Sequence, residues 1–148
     1  EGALKLSEQV VLATENKDTE TVANLLAKVH EDKVPVLEYN SESALRYVVL
    51  IAYLAAEKDY LAPLNEFPTG KGFADIVYLP KKVSKNGKPA LIIELKKDAS
   101  AKTALEQIKE RDYVSRVKEY TDNMLLIGIN YDSKSKQHSC IIEKYQKQ

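Results

Sequence analysis

Apolar residues recur every three or four positions through the first part of the chain and then at alternate positions or in short runs. The pattern therefore predicts helices first and strands after. Leu4 to Ala13 reads as one helix, broken at Asn16, Lys17 and Asp18. Asp18 can cap a second helix, in which Val22, Leu25, Leu26 and Val29 share a face. Pro35 ends that region. From Tyr39 the run YNSESALRYVVLIAYLAAEKDY offers Asn40 or Ser41 as a cap and then no Gly or Pro. Val48, Val49 and Ile51 would suit a strand, but the length and the alanines favour one helix, apolar nearly all round and so buried on most sides.

The second half reads as strands around one helix. Tyr60 to Phe67 predicts a short strand, and Phe73 to Leu79 a second after the turn Pro68, Thr69, Gly70. Asn86-Gly87 is the strongest hairpin signal and should join that strand to a third, Ala90 to Lys96. Residues 99 to 120 are helical in composition, with a shift of apolar face that predicts a bend near Asp112. Met124 to Tyr131 and Gln137 to Tyr145 complete the strands, separated by the turn Asp132 to Lys136. The order is ααα, βββ, α, ββ, an α/β or α+β sandwich.

Composition adds that 44% of the 148 residues are hydrophobic and 30% charged, which describes one ordinary globular domain. Cys140 is the one cysteine, so no internal disulfide forms, and with His30 and His138 alone beside it a structural zinc site lacks ligands. The longest apolar stretch, Tyr47 to Ala56, is about half of a membrane span, and no signal segment opens the chain. An intracellular, cytoplasmic protein without membrane partners is expected. The first residue is Glu1, not Met, which predicts a piece of something longer. Twenty-two basic and 22 acidic residues cancel, but unevenly: residues 1–66 carry net −6 and residues 67–148 net +6.

The chemistry suggested by the chain lies in polar residues inside apolar strands. In LIIELKK, Glu94 and Lys96 are two apart, so a strand puts them on one face while Ile93 and Leu95 point to the other. Asp75 interrupts the preceding strand, GFADIVYL. If Asn86-Gly87 pairs the two strands, Asp75 and Glu94 come close, and two adjacent carboxylates call for a proton or a cation. Oxygen ligands from Asp75, Glu94 and the Leu95 carbonyl suit Mg²⁺ or Mn²⁺, with Lys96 stabilising developing negative charge, an arrangement fit for phosphodiester hydrolysis. The alternative is a solvated sheet face with a cross-strand ion pair, worth at most about 1 kcal/mol.

Asp75 followed by Glu94-Leu95-Lys96 after an apolar run resembles the PD-(D/E)XK nuclease superfamily, and the likeness extends in order through YNSESALRYVVLIAYLAAEKDY, NEFPTGKGFADIVYLP, KPALIIELKK, ALEQIKERDY, LLIGINY and HSCIIEKY. These segments, from Tyr39 to Tyr145, look like the C-terminal nuclease-like domain of bacterial proteins whose N-terminal part is an AAA-ATPase-like domain. The resemblance implies a restriction-endonuclease-like core, a central mixed five-stranded sheet flanked by helices, with extra N-terminal helices. It divides the chain into a helical N-terminal or linker segment, 1–38, and a nuclease-like domain, 39–148. Asp75 and Glu94 would be metal carboxylates and Lys96 the catalytic lysine. Glu42 matches the acidic residue of the first core helix, which can complete the metal site; a first-turn carboxylate favoured by the helix dipole is the alternative. Glu66 matches an acidic position before the Gly-containing turn. Gln107 and Tyr113 match the Q-x5-Y element that would face the active site or substrate, against an exposed helix glutamine as the plain reading. Ala74 and Phe73 stand where relatives often carry proline and arginine.

Lys81, Lys82, Lys85 and Lys88 crowd the predicted hairpin, either as phosphate contacts or as a solvated turn. His138 and Cys140 read as packed strand residues. The chain has no P-loop, so ATPase activity would belong elsewhere. Three functions follow: a Mg²⁺-dependent nuclease acting on DNA, with RNA open; a catalytically weak or silent nuclease fold that binds nucleic acid or protein beside an ATPase-like partner domain; or a structural oligomerisation module. A homodimer is left open.

Overall fold

The second and third helices each start where a side chain satisfies the first free backbone N–H groups. The computed structural model describes residues 2–65, 76–82, 87–110 and 123–145. Helix α1, Gly2–Glu15, ends in a turn at Lys17, whose φ is 57°. Asp18 caps α2, Thr19–Lys33, accepting hydrogen bonds from the Thr21 backbone N–H at 3.2 Å and its hydroxyl at 2.7 Å. A 3₁₀ turn, Val36–Glu38, follows Pro35. Ser41 caps α3, Glu42–Ala52, accepting from Ala44 N–H at 3.0 Å.

The predicted long third helix stops earlier than its composition suggests. Beyond Ala52 the chain tightens at Tyr53 into a 3₁₀ segment, Leu54–Lys58. The cause lies far off in sequence: the fully buried Ser7 of α1 donates to the Ala52 carbonyl and accepts from Ala55 N–H, both at 2.7 Å. Two backbone groups that would extend the helix are thus taken by a hydroxyl. Two turns further along α1, Thr14 shares a 2.7 Å hydrogen bond with the Tyr53 hydroxyl. Helix α3 buries Leu45, Val48, Val49 and Ala52, but Tyr47 is half exposed, so the helix is covered on fewer sides than expected.

Among the described residues the sheet has five strands in the order β1-β2-β3-β4-β5: Leu64–Asn65, Ile76–Tyr78, Ala90–Lys97, Met124–Asp132 and Gln137–Lys144. β1 starts at Leu64, later than the predicted Tyr60, which makes only a bridge to Pro80; residues 66 and 67 of the predicted strand lie outside the described residues. β2 and β3 pair antiparallel, Ile76 with Ile93 and Tyr78 with Leu91. That antiparallel pairing is what the hairpin signal predicted; Gly87, at φ 66°, stands three residues before β3, and residues 83–86 of the connection lie outside the described residues. β3 and β4 are parallel, joined through α4, Ala101–Glu110, and β5 returns antiparallel on β4. Residues 111–122, where a bend was expected, lie outside the described residues.

Alternation along the strands builds two cores. Leu91, Ile93 and Leu95 of β3, with Ile76 and Tyr78 of β2 and Leu125, Ile127, Ile129 and Tyr131 of β4, pack under α1, α2 and α3. Ala90, Ile92, Val77, Met124 and Leu126 face Leu105 and Ile108 of α4. The mixed sheet between helical layers is the arrangement expected for a restriction-endonuclease-like core. No helix among the described residues is long and apolar enough to cross a membrane.

A histidine pair ties the first layer to the sheet. His30 of α2 bonds the Tyr39 carbonyl through Nε2 at 2.6 Å, and since a carbonyl only accepts, Nε2 carries the proton. Nδ1 of a neutral His30 then accepts from Nε2–H of His138 on β5, 2.9 Å away. His138 Nδ1 is left buried without a hydrogen-bond partner among the described residues. Tyr39 and Tyr131 stack on His30 with ring centroids 4.2 and 4.6 Å away. Burial lowers the pKa of both imidazoles, that of His138 to about 4.

This pair makes stability acid-sensitive. Between the unfolded histidine pKa of 6.5 and about 4 the unfolded chain binds more protons, so stability is whole above that window and falls as pH is lowered through it. Asp18, Asp98 and Asp132 are held below their ordinary 3.8 and give up their contributions only at lower pH. The melting temperature should drop between about pH 7 and pH 5, and less steeply in His138→Gln, which keeps a donor for His30 but does not titrate. Thermal unfolding of both proteins across that range is the check.

Candidate active site

The polar residues of β3 stand on the face covered by α4. Ile92 points into the α4 core and Ile93 and Leu95 into the other, so Glu94 and Lys96 continue the Ile92 side, as the spacing predicted. Glu94 is completely buried, and Lys96 is half-buried near the strand end. The parallel register sets Gly128 of β4 beside Glu94 and Asn130 beside Lys96.

Gly128 decides how close α4 comes. A Cβ there would collide with the Ala101 carbonyl oxygen, stand 2.8 Å from the Leu105 nitrogen and 3.2 Å from the Ala104 methyl. Only a residue without a side chain lets the helix backbone rest on the strand. The same helix carries Gln107, half-buried, whose Oε1 is shut off from solvent without a hydrogen-bond partner among the described residues. An unsatisfied buried acceptor costs about 1–3 kcal/mol, an uncommon expense for an ordinary helix glutamine.

The turn that follows Lys96 is held in place by β4. Asn130, 5% exposed, accepts the Ala99 N–H on Oδ1 at 3.0 Å. Asp98 adopts φ 54° and donates its N–H to the Tyr131 carbonyl at 2.8 Å. Its carboxylate accepts the Ser133 N–H at 2.7 Å and the Ser133 hydroxyl at 2.8 and 2.9 Å, which keeps its pKa below the usual range. Ser100 then starts α4, accepting Thr103 N–H at 2.9 Å.

Other residues singled out by sequence fall in different places. Asp75, Glu66, Lys85 and Tyr113 lie outside the described residues; Asp75 is next in chain to Ile76, and Glu94 next to Ile93, its register partner. Glu42 opens α3, in the layer across the sheet from α4. The Leu95 side chain packs in the first core, so its backbone alone is available to a ligand. Lys81 and Lys82 follow β2 at the far end of β3 from Lys96. Lys88, read either as a phosphate contact or as part of a solvated turn, pairs with Glu15 of α1 at 2.7 Å, with Asp59 at 3.9 Å. His138 and Cys140 are strand residues as read, and burial pushes the Cys140 thiol up to about 12, leaving it inert. Among the described residues no three His, Cys, Asp or Glu side chains gather.

Gly128 and Asn130 escaped the sequence reading, although LLIGINY carries the signal. The two non-apolar positions alternate within a hydrophobic strand, like Glu94 and Lys96 in LIIELKK.

A family model described as the PD-(D/E)XK nuclease superfamily matches residues 41–140. No curated protein matches the chain.

Replacing Gly128 with alanine should push α4 off the sheet. The expected cost is about 1–3 kcal/mol, the range for overpacking a filled interior, read as a lower urea midpoint. An unchanged midpoint would mean that α4 is free to move.

Proposed function

Because the chain belongs to the PD-(D/E)XK nuclease superfamily, we propose that it is a metal-dependent nuclease that hydrolyses phosphodiester bonds in DNA through Asp75, Glu94 and Lys96. The observation that carries the reading is a wholly buried carboxylate, Glu94, with Lys96 next along the same face of a central strand, under a helix whose Gln107 has a sequestered oxygen. An apolar strand in a hydrophobic core has no structural use for such a set, whereas phosphoryl chemistry uses each member.

The donor set fits a hard divalent cation, Mg²⁺ or Mn²⁺, because every group offered is oxygen: the Asp75 and Glu94 carboxylates and the Leu95 carbonyl, with Glu42 as a further ligand. When bound, such a cation would draw charge from a phosphate oxygen and acidify a neighbouring water. Lys96 would donate to the attacking water or to the phosphate oxygens and offset their growing negative charge. Burial of Glu94 keeps bulk water from screening that charge, and Gln107, with Tyr113 further along, would orient the substrate or water from the helix side. The resemblance of residues 39–145 adds a preceding ATPase-like domain as partner in a bacterial cytoplasmic protein, with α1 and α2 leading to it, and leaves a homodimer open.

A silent nuclease fold that binds nucleic acid or protein is the second reading. It is favoured by Phe73 and Ala74, which supply neither the cation nor the proline common in relatives at those places.

Cleavage of supercoiled plasmid and single-stranded oligonucleotides in Mg²⁺ or Mn²⁺ separates the two. Glu94→Ala and Lys96→Ala should each lose about 100-fold or more in rate. Equal rates in all three proteins would overturn the site, and binding without cleavage by the wild type would move the conclusion to the second reading.

A further inference from the structure

We infer that Asn130 is a further substrate contact, its side-chain Nδ2 donating to an oxygen of the phosphate beside Lys96. This rests on the nuclease reading above, and it adds β4 to the strands that meet the substrate.

Placement is the first argument. In the parallel register Asn130 is the partner of Lys96, and Gly128 the partner of Glu94. Partners on neighbouring strands stand about 4.8 Å apart with their side chains on one face. That face is the one under α4, because Met124 and Leu126 of the same alternating set pack there while Ile127, Ile129 and Tyr131 enter the other core. Gly128 puts no side chain beside Glu94, so Asn130 is the first polar side chain that β4 presents to the site. Ser139, its partner on β5, is exposed, and the row Lys96, Asn130, Ser139 thus reaches solvent on the β5 side.

Polar accounting is the second. A backbone N–H only donates, so the atom that meets Ala99 N–H at 3.0 Å is Oδ1, and the other end of the amide is the NH2 group. Nδ2 carries two donors, and no acceptor among the described residues meets them. Asn130 as a whole is only 5% exposed, yet its Nδ2 is not sealed from solvent as Gln107 Oε1 is. The donors therefore face a narrow opening. An acceptor is all that the β3–α4 turn requires of position 130. The unused N–H groups call for a ligand oxygen, and beside an ammonium that has no acceptor to offer, a phosphate brings several.

Orientation is the third. The Ala99 bond fixes the plane of the amide, and the Asp98 carboxylate, accepting from Ser133 N–H at 2.7 Å, ties the same turn to the one after β4. A donor held in place before the substrate arrives needs no reordering as charge develops on the phosphate.

Cleavage of a single-stranded oligonucleotide in Mg²⁺ or Mn²⁺, with urea unfolding of each protein, is the test. Asn130→Asp keeps an acceptor for Ala99 N–H and loses the donors. Its urea midpoint should stay near that of the wild type while kcat falls about 100-fold, the usual loss for one oxyanion donor, with KM little changed. Asn130→Leu keeps the shape without charge and without either bond; it should lose as much kcat and also unfold at lower urea. Wild-type kcat in Asn130→Asp would reduce Asn130 to a clamp on the turn and overturn the inference. So would wild-type kcat in Asn130→Leu, which would trace the loss in Asn130→Asp to repulsion, or an equal fall in midpoint in both variants. Cleavage that Glu94→Ala abolishes and both Asn130 variants retain would spare the nuclease reading and overturn this contact alone. A wild type that does not cleave, or a Glu94→Ala protein that cleaves as well as wild type, would overturn both.

Discussion

The candidate site depends on one close approach, the backbone of α4 resting on Gly128. Because α4 is the crossover between parallel neighbours β3 and β4, contact at Gly128 also roofs the residue beside it in register, Glu94. A carboxylate so enclosed loses its hydration, which costs several kcal/mol unless a cation, a proton or directed donors replace it. The same contact brings Gln107 to the sheet. A strand that looks purely structural therefore sets the electrostatics of its neighbour, and no residue larger than glycine can do so without moving the helix.

Local chemistry explains which parts were legible in the sequence. The two-residue spacing of Glu94 and Lys96 placed them on one face, and the observed cores confirm that division because alternation depends on nothing beyond the strand itself. The caps at Asp18 and Ser41 were likewise readable, each being a bond within a few residues. The end of α3 was not, since it is set by Ser7 from |i−j| separations of 45 and 48. Nor was the fate of Lys88, whose partner Glu15 is 73 residues away. For the site itself the motif marked the β3 residues, while Gly128 and Asn130 acquire meaning only through the parallel register and the helix above.

Long-range bonds also bear on where the folding unit begins. The family match starts at residue 41, yet Val10, Ala13, Val22, Leu26 and Val29 belong to the same apolar cluster as Leu91, Ile93 and Ile127 of the central strands. Ser7 shapes the end of α3, Glu15 holds Lys88, and His30 holds His138. Residues 2–38, within the segment read from sequence as a helical N-terminal or linker segment, place α1 and α2 over one face of the sheet. Buried apolar area on that face stabilises the whole domain, and the segment differs from a tether in that its polar side chains are spent on specific partners.

Neutrality, finally, is a spatial arrangement. The acidic excess of residues 1–66 is partly used to hold basic residues of the other half, as Glu15 and Asp59 do at Lys88. That pairing removes positive charge from the hairpin end of the sheet. At the opposite end, Asp98 and Asp132 accept hydrogen bonds from Ser133 and Ser135 and stay ionised beside the lysines of the two turns. The local arrangement of charges, and not their sum over the molecule, is what a charged ligand meets.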